Sequence, residues 1–335
     1  MFFVLMLHIN LKVILRNNDT SQVLNYFALL SNSLVFVCIN TFVMISGYFS
    51  VQVKIKSFLS LLIQTEFYGA LALLVYFLIS FCCGSFSVSI NILGVLMPFH
   101  PTGLWFIPCY VLLLVISPLL NWICKDKKAH ALSILIIALG AGVVYITRGN
   151  NGCNIVNFML IYLIGRLIAL YARENSLKQK NIAAFLLFLS VGFTFCLELW
   201  WLNRGHGVAD KTIFSHCTPW LITSSVALFV LFKNITITKR WLFFVGPSVL
   251  SVYLFHGNYL IEQYIYIKPL RFLISISPND ALSYIILIIY GLSLFSIIVL
   301  FDHFVRIPIQ DYIMGNLKNN RVYKVMDSKL QKLNK

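Results

Sequence analysis

The sequence predicts an all-α, polytopic integral membrane protein of about ten transmembrane helices with both termini cytoplasmic. Three observations predict it. Of 335 residues, 59% are apolar and only 11% are charged, where a soluble domain carries about 25% charged residues. Apolar runs of roughly 20 residues, the length that crosses a bilayer core, recur down the whole chain. Stretches such as Leu71 to Ile79 and Tyr284 to Tyr290 are apolar at every position, which excludes the alternating pattern of a transmembrane barrel.

Breaks at clusters of Lys, Arg, Asn, Pro and Gly place the helices in order. The first covers residues 1–15 and is short for a span, interrupted by His8, Asn10 and Lys12. It lacks the basic start and small-residue cleavage site of a secretory signal, so Met1 is expected to be an internal methionine of a longer chain. The second, 27–50, ends in Ser46-Gly47-Tyr48, a small pair for close helix approach beside an interfacial aromatic. The third covers 57–82. The fourth, 104–123, opens with Trp105, Phe106 and Pro108, residues suited to an interface and a first turn. The fifth to tenth follow at 130–147, 155–172, 181–202, 216–233, 242–262 and 281–305. Residues 1–309 thus form one transmembrane domain, and 310–335 a basic cytoplasmic tail, amphipathic or disordered.

The formal charge of +15 reads as an orientation signal, and no nucleic-acid partner is expected. Of the 26 Lys and Arg, 18 fall on one side: in the loops after the second, fourth, sixth and eighth helices and in the tail, which includes Arg306. That side is cytoplasmic by the positive-inside rule. No loop has room for a soluble domain, and no internal repeat supports a transporter of inverted halves. The eight Cys lack metal-ligand spacing and read as apolar fillers. No phosphate-cradling Gly loop, paired metal ligands or GxSxG elbow is present.

Ionisable groups inside the hydrocarbon cost about 2.5–3.5 kcal/mol each on insertion scales, so each is a functional candidate. They are His8, Glu66, Arg166, Glu198, His256 and the Asp302-His303 pair. A neutral imidazole at His8 or His256 can take a proton from a hydroxyl near neutral pH, or it can bond a neighbouring helix. Arg166 either snorkels to lipid phosphates or binds phosphate of a nucleotide-like donor. Lys54 and Lys56 are orientation signals or phosphate ligands. Glu198, with His206, Asp210 and His216 in the loop after it, faces solvent or an extracytoplasmic acceptor.

FFVLMLHIN, NTFVMISGYFS followed by Lys54 and Lys56, TGLWFIPCYVLLLVISPLLN, YLIGRLIALY and SVYLFHGNYL stand in that order along the chain. Together they resemble the motifs of the acyltransferase 3 family of bacterial integral-membrane acyltransferases. The resemblance implies transfer of an acyl group, most often acetyl, from acyl-CoA (acetyl-CoA) as co-substrate, with no permanently bound cofactor and no metal. The implied acceptor is a hydroxyl of a sugar or glycan across the bacterial cytoplasmic membrane. It also implies that His8 is a general base or transient acyl carrier and that His256 orients it or lines the tunnel. Lys54, Lys56 and Arg166 would neutralise CoA phosphates, and Trp105 would shape the tunnel mouth. The family's Arg eleven positions before the hallmark His would fall four residues upstream of Met1. A polysaccharide exporter or polymerase shares the helix count and charge and is the rival class.

Overall fold

The computed structural model describes residues 1–17, 19–83, 104–125, 127–146, 152–171, 177–207, 213–233, 235 and 240–333. Of the residues named above, Asp210 lies outside them. Among the described residues the chain is helical with no strand. The helices are α1 (Phe2–Ile9), α2 (Gln22–Val35), α3 (Cys38–Tyr48), α4 (Ile55–Cys83), α5 (Phe106–Ile123), α6 (Lys127–Ile146), α7 (Ile155–Tyr171), α8 (Leu177–Leu202) and α9 (Pro219–Phe232). They continue as α10 (Arg240–Val245), α11 (Val249–His256), α12 (Lys268–Ser275), α13 (Asp280–Phe301), α14 (Ile307–Lys318) and α15 (Arg321–Leu333).

Among the described residues five helices are long and apolar enough to cross a membrane: Gln22–Tyr48, Ile55–Cys82, Phe106–Ile123, Leu177–Leu202 and Asp280–Lys318. Five shorter apolar helices, Phe2–Leu15, Ala129–Gly142, Ile155–Tyr171, Pro219–Phe232 and Trp241–His256, lie on the other five expected segments. The side-chain pattern is inverted relative to a soluble protein. On α8 the buried residues are Ala183, Ser190, Thr194 and Glu198, while Phe188 is 80% exposed. An outer face of Phe and Leu over a polar inner stripe is the solution for a helix whose solvent is lipid.

Several boundaries differ from expectation for local reasons. Residue 22, not 27, starts α2, because the Ser21 hydroxyl caps it by accepting from the Leu24 amide at 3.1 Å. Beyond residue 305 the last long helix does not stop; a π-helical stretch, Asp302–Arg306, leads directly into α14. The described part of the expected tail thus holds the rest of α14 and α15, parted by a turn at Asn319-Asn320. Lys268 and Arg271, in the interval between the ninth and tenth expected helices, begin and lie within α12.

Pro118 sits inside α5 and has no amide proton for the Leu114 carbonyl one turn back. The Ser117 hydroxyl takes over by donating to that carbonyl at 2.8 Å. Ser117→Ala is expected to lower stability by about 1 kcal/mol, read as a depressed unfolding temperature in detergent; an unchanged value would show that the carbonyl finds another donor.

The chain forms two compact units. The first comprises Met1–Leu5, Val53–Val111 and Thr238–Lys335. In it α11 packs on α4 and α13, and α14 and α15 lie against α4. Ala72, Leu73 and Tyr76 pack with Leu260 and Ile261 in its core. The second unit comprises Met6–Gln52 and Leu112–Ile237. Here α3 crosses α7, and α9 packs between α8 and α3. The α3–α7 crossing is backbone on backbone: a Cβ on Gly47 would fall on the Tyr162 carbonyl, and one on Gly165 on the Met44 carbonyl. The small-residue role expected of Ser46-Gly47 is thus met, with Gly165 as its counterpart.

Candidate functional site

His256 ends α11 and is fully buried. Its ring Nδ1 lies on the Val252 carbonyl. A carbonyl only accepts, so Nδ1 carries the proton and, in the neutral ring, Nε2 carries the lone pair. That tautomer suits a base. Gly257 follows at once, and a Cβ there would lie 2.8 Å from the Tyr253 carbonyl, so glycine lets the chain leave the helix beside the imidazole.

An aromatic chain joins His256 to Trp105 within the same unit. Trp105 meets Phe106 at 6.1 Å, Phe106 meets Tyr253 at 5.8 Å, and Tyr253 meets His256 edge-on at 6.3 Å. Tyr266 closes on the imidazole from another direction at 6.4 Å. Lys54 and Lys56 are exposed and flank Ile55, the first residue of α4. Two ammonium groups beside the positive end of a helix dipole are unfavourable alone and favourable with an anion.

Charge counting placed Arg306 in the cytoplasmic tail as an orientation signal, and the structure corrects this. It is 3% exposed and pairs with Asp302, which is fully buried. One carboxylate oxygen accepts from Tyr68 Oη at 2.7 Å, from Arg306 Nε at 2.8 Å and from the Ser251 hydroxyl; the other accepts from Arg306 Nη2. Gln64 donates to Ser251 at 2.6 Å, and Arg306 reaches Gln310 at 2.7 Å and the Pro247 carbonyl at 3.3 Å. The network ties α4, α11 and α13 together at the base of the helix that carries His256. Its signal was the four-residue spacing of Asp302 and Arg306, which puts them on one helical face.

In the second unit His8 stands half-buried on the last turn of α1. The helix then widens into a π-helical stretch, Asn10–Leu15, a local change that recurs at functional sites. Asn10 is buried and donates to the Ser31 hydroxyl and to Asn32 Oδ1, both at 3.1 Å. From Asn32 a polar stripe runs down α2 and α3. Phe36, one turn on, stacks on the His216 ring at 4.6 Å. Asn40, another turn on, donates to the His216 carbonyl at 2.9 Å. Asn32 Nδ2 and Asn40 Oδ1 are buried with no hydrogen-bond partner, an arrangement that costs about 1–3 kcal/mol for each group. The eight-residue spacing of Asn32 and Asn40, about two helical turns, is present in the sequence.

Arg166 follows Gly165 and so is placed by the α3–α7 crossing. Its Nε is buried without a partner, and its guanidinium lies near Cys124. His130 lies beside them, 4.0 Å from Cys124 Sγ and 3.4 Å from the Leu163 carbonyl. Glu198 and His216, read from the sequence as facing solvent or an extracytoplasmic acceptor, are both buried, which removes the solvent alternative. Glu198 belongs to the inner stripe of α8, and His216 sits under Phe36. His206 is the exposed one, stacked on Trp201 at 4.1 Å. The seven sequence candidates divide between the units: Lys54, Lys56, Trp105 and His256 in the first, His8, Arg166 and Glu198 in the second. Among the described residues no group of three or more His, Cys, Asp or Glu could hold a metal ion.

Long apolar helices with lipid-compatible outer faces and buried histidine, amide and ion-pair groups within define a multi-pass helical membrane protein. A family model described as an acyltransferase domain, that of the acyltransferase 3 family, matches residues 1–302, and the chain belongs to that family. It is thereby a membrane acyltransferase in kind. Comparisons with curated proteins and with solved structures gave no match.

Proposed function

We propose that the protein is an O-acyltransferase that moves an acyl group, acetyl by preference, from cytoplasmic acyl-CoA to a hydroxyl of an extracytoplasmic sugar or polysaccharide. The observation that carries this reading is the acyltransferase family match over residues 1–302, which contains both His8 and His256. In the reading all ten apolar segments cross a bacterial cytoplasmic membrane, with both termini inside.

Lys54, Lys56 and Arg166 neutralise CoA phosphates. The imidazole of His8 accepts the proton of the sugar hydroxyl as its oxygen bonds to the thioester carbonyl carbon; the carbon–sulfur bond breaks, and the CoA thiolate takes up that proton. Transient acylation of His8 followed by transfer to the hydroxyl gives the same products. The unpartnered Nδ2 of Asn32 and Oδ1 of Asn40 support the reading, because a sugar hydroxyl both accepts and donates and so satisfies such groups. Trp105 and Glu198 contact the acceptor, and the fixed tautomer of His256 suits a base or an orienting partner.

The test is transfer of radiolabelled acetyl from acetyl-CoA to glycan in membranes containing the protein. His8→Ala is expected to lower transfer by about 100-fold or more, and His256→Ala to lower it as well. Full transfer by His8→Ala would remove that residue from catalysis, and movement of glycan with no acyl transfer by the unmodified protein would favour an exporter.

A further inference from the structure

Two apolar grooves in the second unit flank α9 and end at the same residue. One, of about 330 Å³, lies against α3 and is lined by Thr41, Ile45, Tyr48, Phe229 and Phe232. The other, of about 400 Å³, lies against α8 and is lined by Ile182, Leu186, Ile222, Val226 and Val230. Lys233 lines both and is the charged residue among the described residues lining either. It caps the C-terminus of α9, and its side of the chain is the one rich in Lys and Arg.

The dimensions suit one leaflet. From Lys233 the second groove runs back along α9 to Ile222, about 16 Å at 1.5 Å per residue. The first runs along α3 from Phe49 to Thr41, about 12 Å on the same rise. Half of a bilayer core is about 15 Å. Each groove is thus as deep as one lipid chain is long in its leaflet, and a single ammonium group stands where both chains would join. Annular lipid needs only an apolar face. A pair of chain-deep grooves meeting at one cation selects something narrower, two chains on one negatively charged headgroup.

We infer that α9 is straddled by one anionic diacyl glycerophospholipid, with its phosphate on Lys233 and one chain in each groove. The lipid is a bound partner of the second unit, distinct from the acyl donor and the acceptor. Its residence does not depend on acyl transfer, so the inference stands or falls apart from the reading above.

The test is native mass spectrometry of the purified protein after exchange into equimolar dioleoyl-phosphatidylglycerol and dioleoyl-phosphatidylcholine. The unmodified chain is expected to retain one phosphatidylglycerol with a five- to tenfold preference, about what one lysine contributes near a charged headgroup. Lys233→Gln is expected to bring the two lipids within about twofold, and Lys233→Arg to keep the preference. Val226→Trp, which fills one groove without touching the charge, is expected to lower retention of both lipids. Lys178→Gln, an exposed cation at the start of α8 that lines neither groove, is expected to change nothing. Equal retention of both lipids by the unmodified chain, an unchanged preference in Lys233→Gln, a loss in Lys178→Gln as large as that in Lys233→Gln, or full retention by Val226→Trp would each overturn the inference.

Discussion

Asp302→Ala is expected to lower the stability of the protein by about 3–5 kcal/mol, because it strands a buried guanidinium. Asp302 is the acceptor at the centre of the network, taking bonds from Tyr68, Ser251 and both arms of Arg306. Without it, Tyr68 and Ser251 lose their acceptor and the buried Arg306 loses its counter-ion, keeping only the neutral acceptors Gln310 and the Pro247 carbonyl. Replacing both members by apolar residues of similar volume removes the stranded charge along with the attraction. The double variant Asp302→Leu with Arg306→Met is therefore expected to be clearly more stable than Asp302→Ala alone. Unfolding in detergent checks both. A single variant within about 1 kcal/mol of the parent would mean that water reaches Arg306.

Gly47→Ala is expected to cost about 3 kcal/mol, the upper part of the usual range for overpacking, and to reduce the yield of monodisperse protein. The added methyl has no flexible neighbour to displace, since it meets the Tyr162 backbone, and Gly165→Ala meets the Met44 backbone in the same way. Each forces α3 and α7 apart. Gly192→Ala is the control: nothing lies within 4 Å of its Cβ position, and alanine is the better helix former. Stability of Gly47→Ala equal to that of Gly192→Ala would disprove the close crossing.

The ten apolar segments were legible because a run of apolar residues reports the solvent around it. Ser46-Gly47 was legible too, since a small residue in a lipid-bound helix has few uses other than close approach. Arg306 was not, because counting charges by loop treats every Lys and Arg as wet and never asks whether an acid lies one turn away. For Glu198 the solvent alternative fails for a related reason: closeness to a helix end says nothing of the face, and the spacing with Ser190 and Thr194 reveals an inward stripe. His216 lies outside α9 and is still buried, which rests on contacts with Phe36 and Asn40 far away in sequence. The proposed roles of His8 and His256 come from motif resemblance; the structure adds the tautomer of one and the amide neighbours that follow the other.

The unequal lengths of α8 and α9 have a consequence for the membrane itself. With 26 residues α8 extends about 39 Å, whereas the 14 residues of α9 extend about 21 Å. In the ten-span reading both cross a hydrocarbon layer near 30 Å, which about matches the part of α8 beyond Lys180 and is too thick for α9. The backbone ahead of α9 has its polar groups satisfied from within the protein, where Trp220 donates to the Ile213 carbonyl at 3.1 Å and Asn40 to that of His216. In that reading the lipid beside α9 meets a hydrophobic belt shorter than its own thickness and has to compress. Bilayer thickness would then be a control variable for this protein, and shortening the host lipid chains by a few carbons is expected to relieve hydrophobic mismatch at α9.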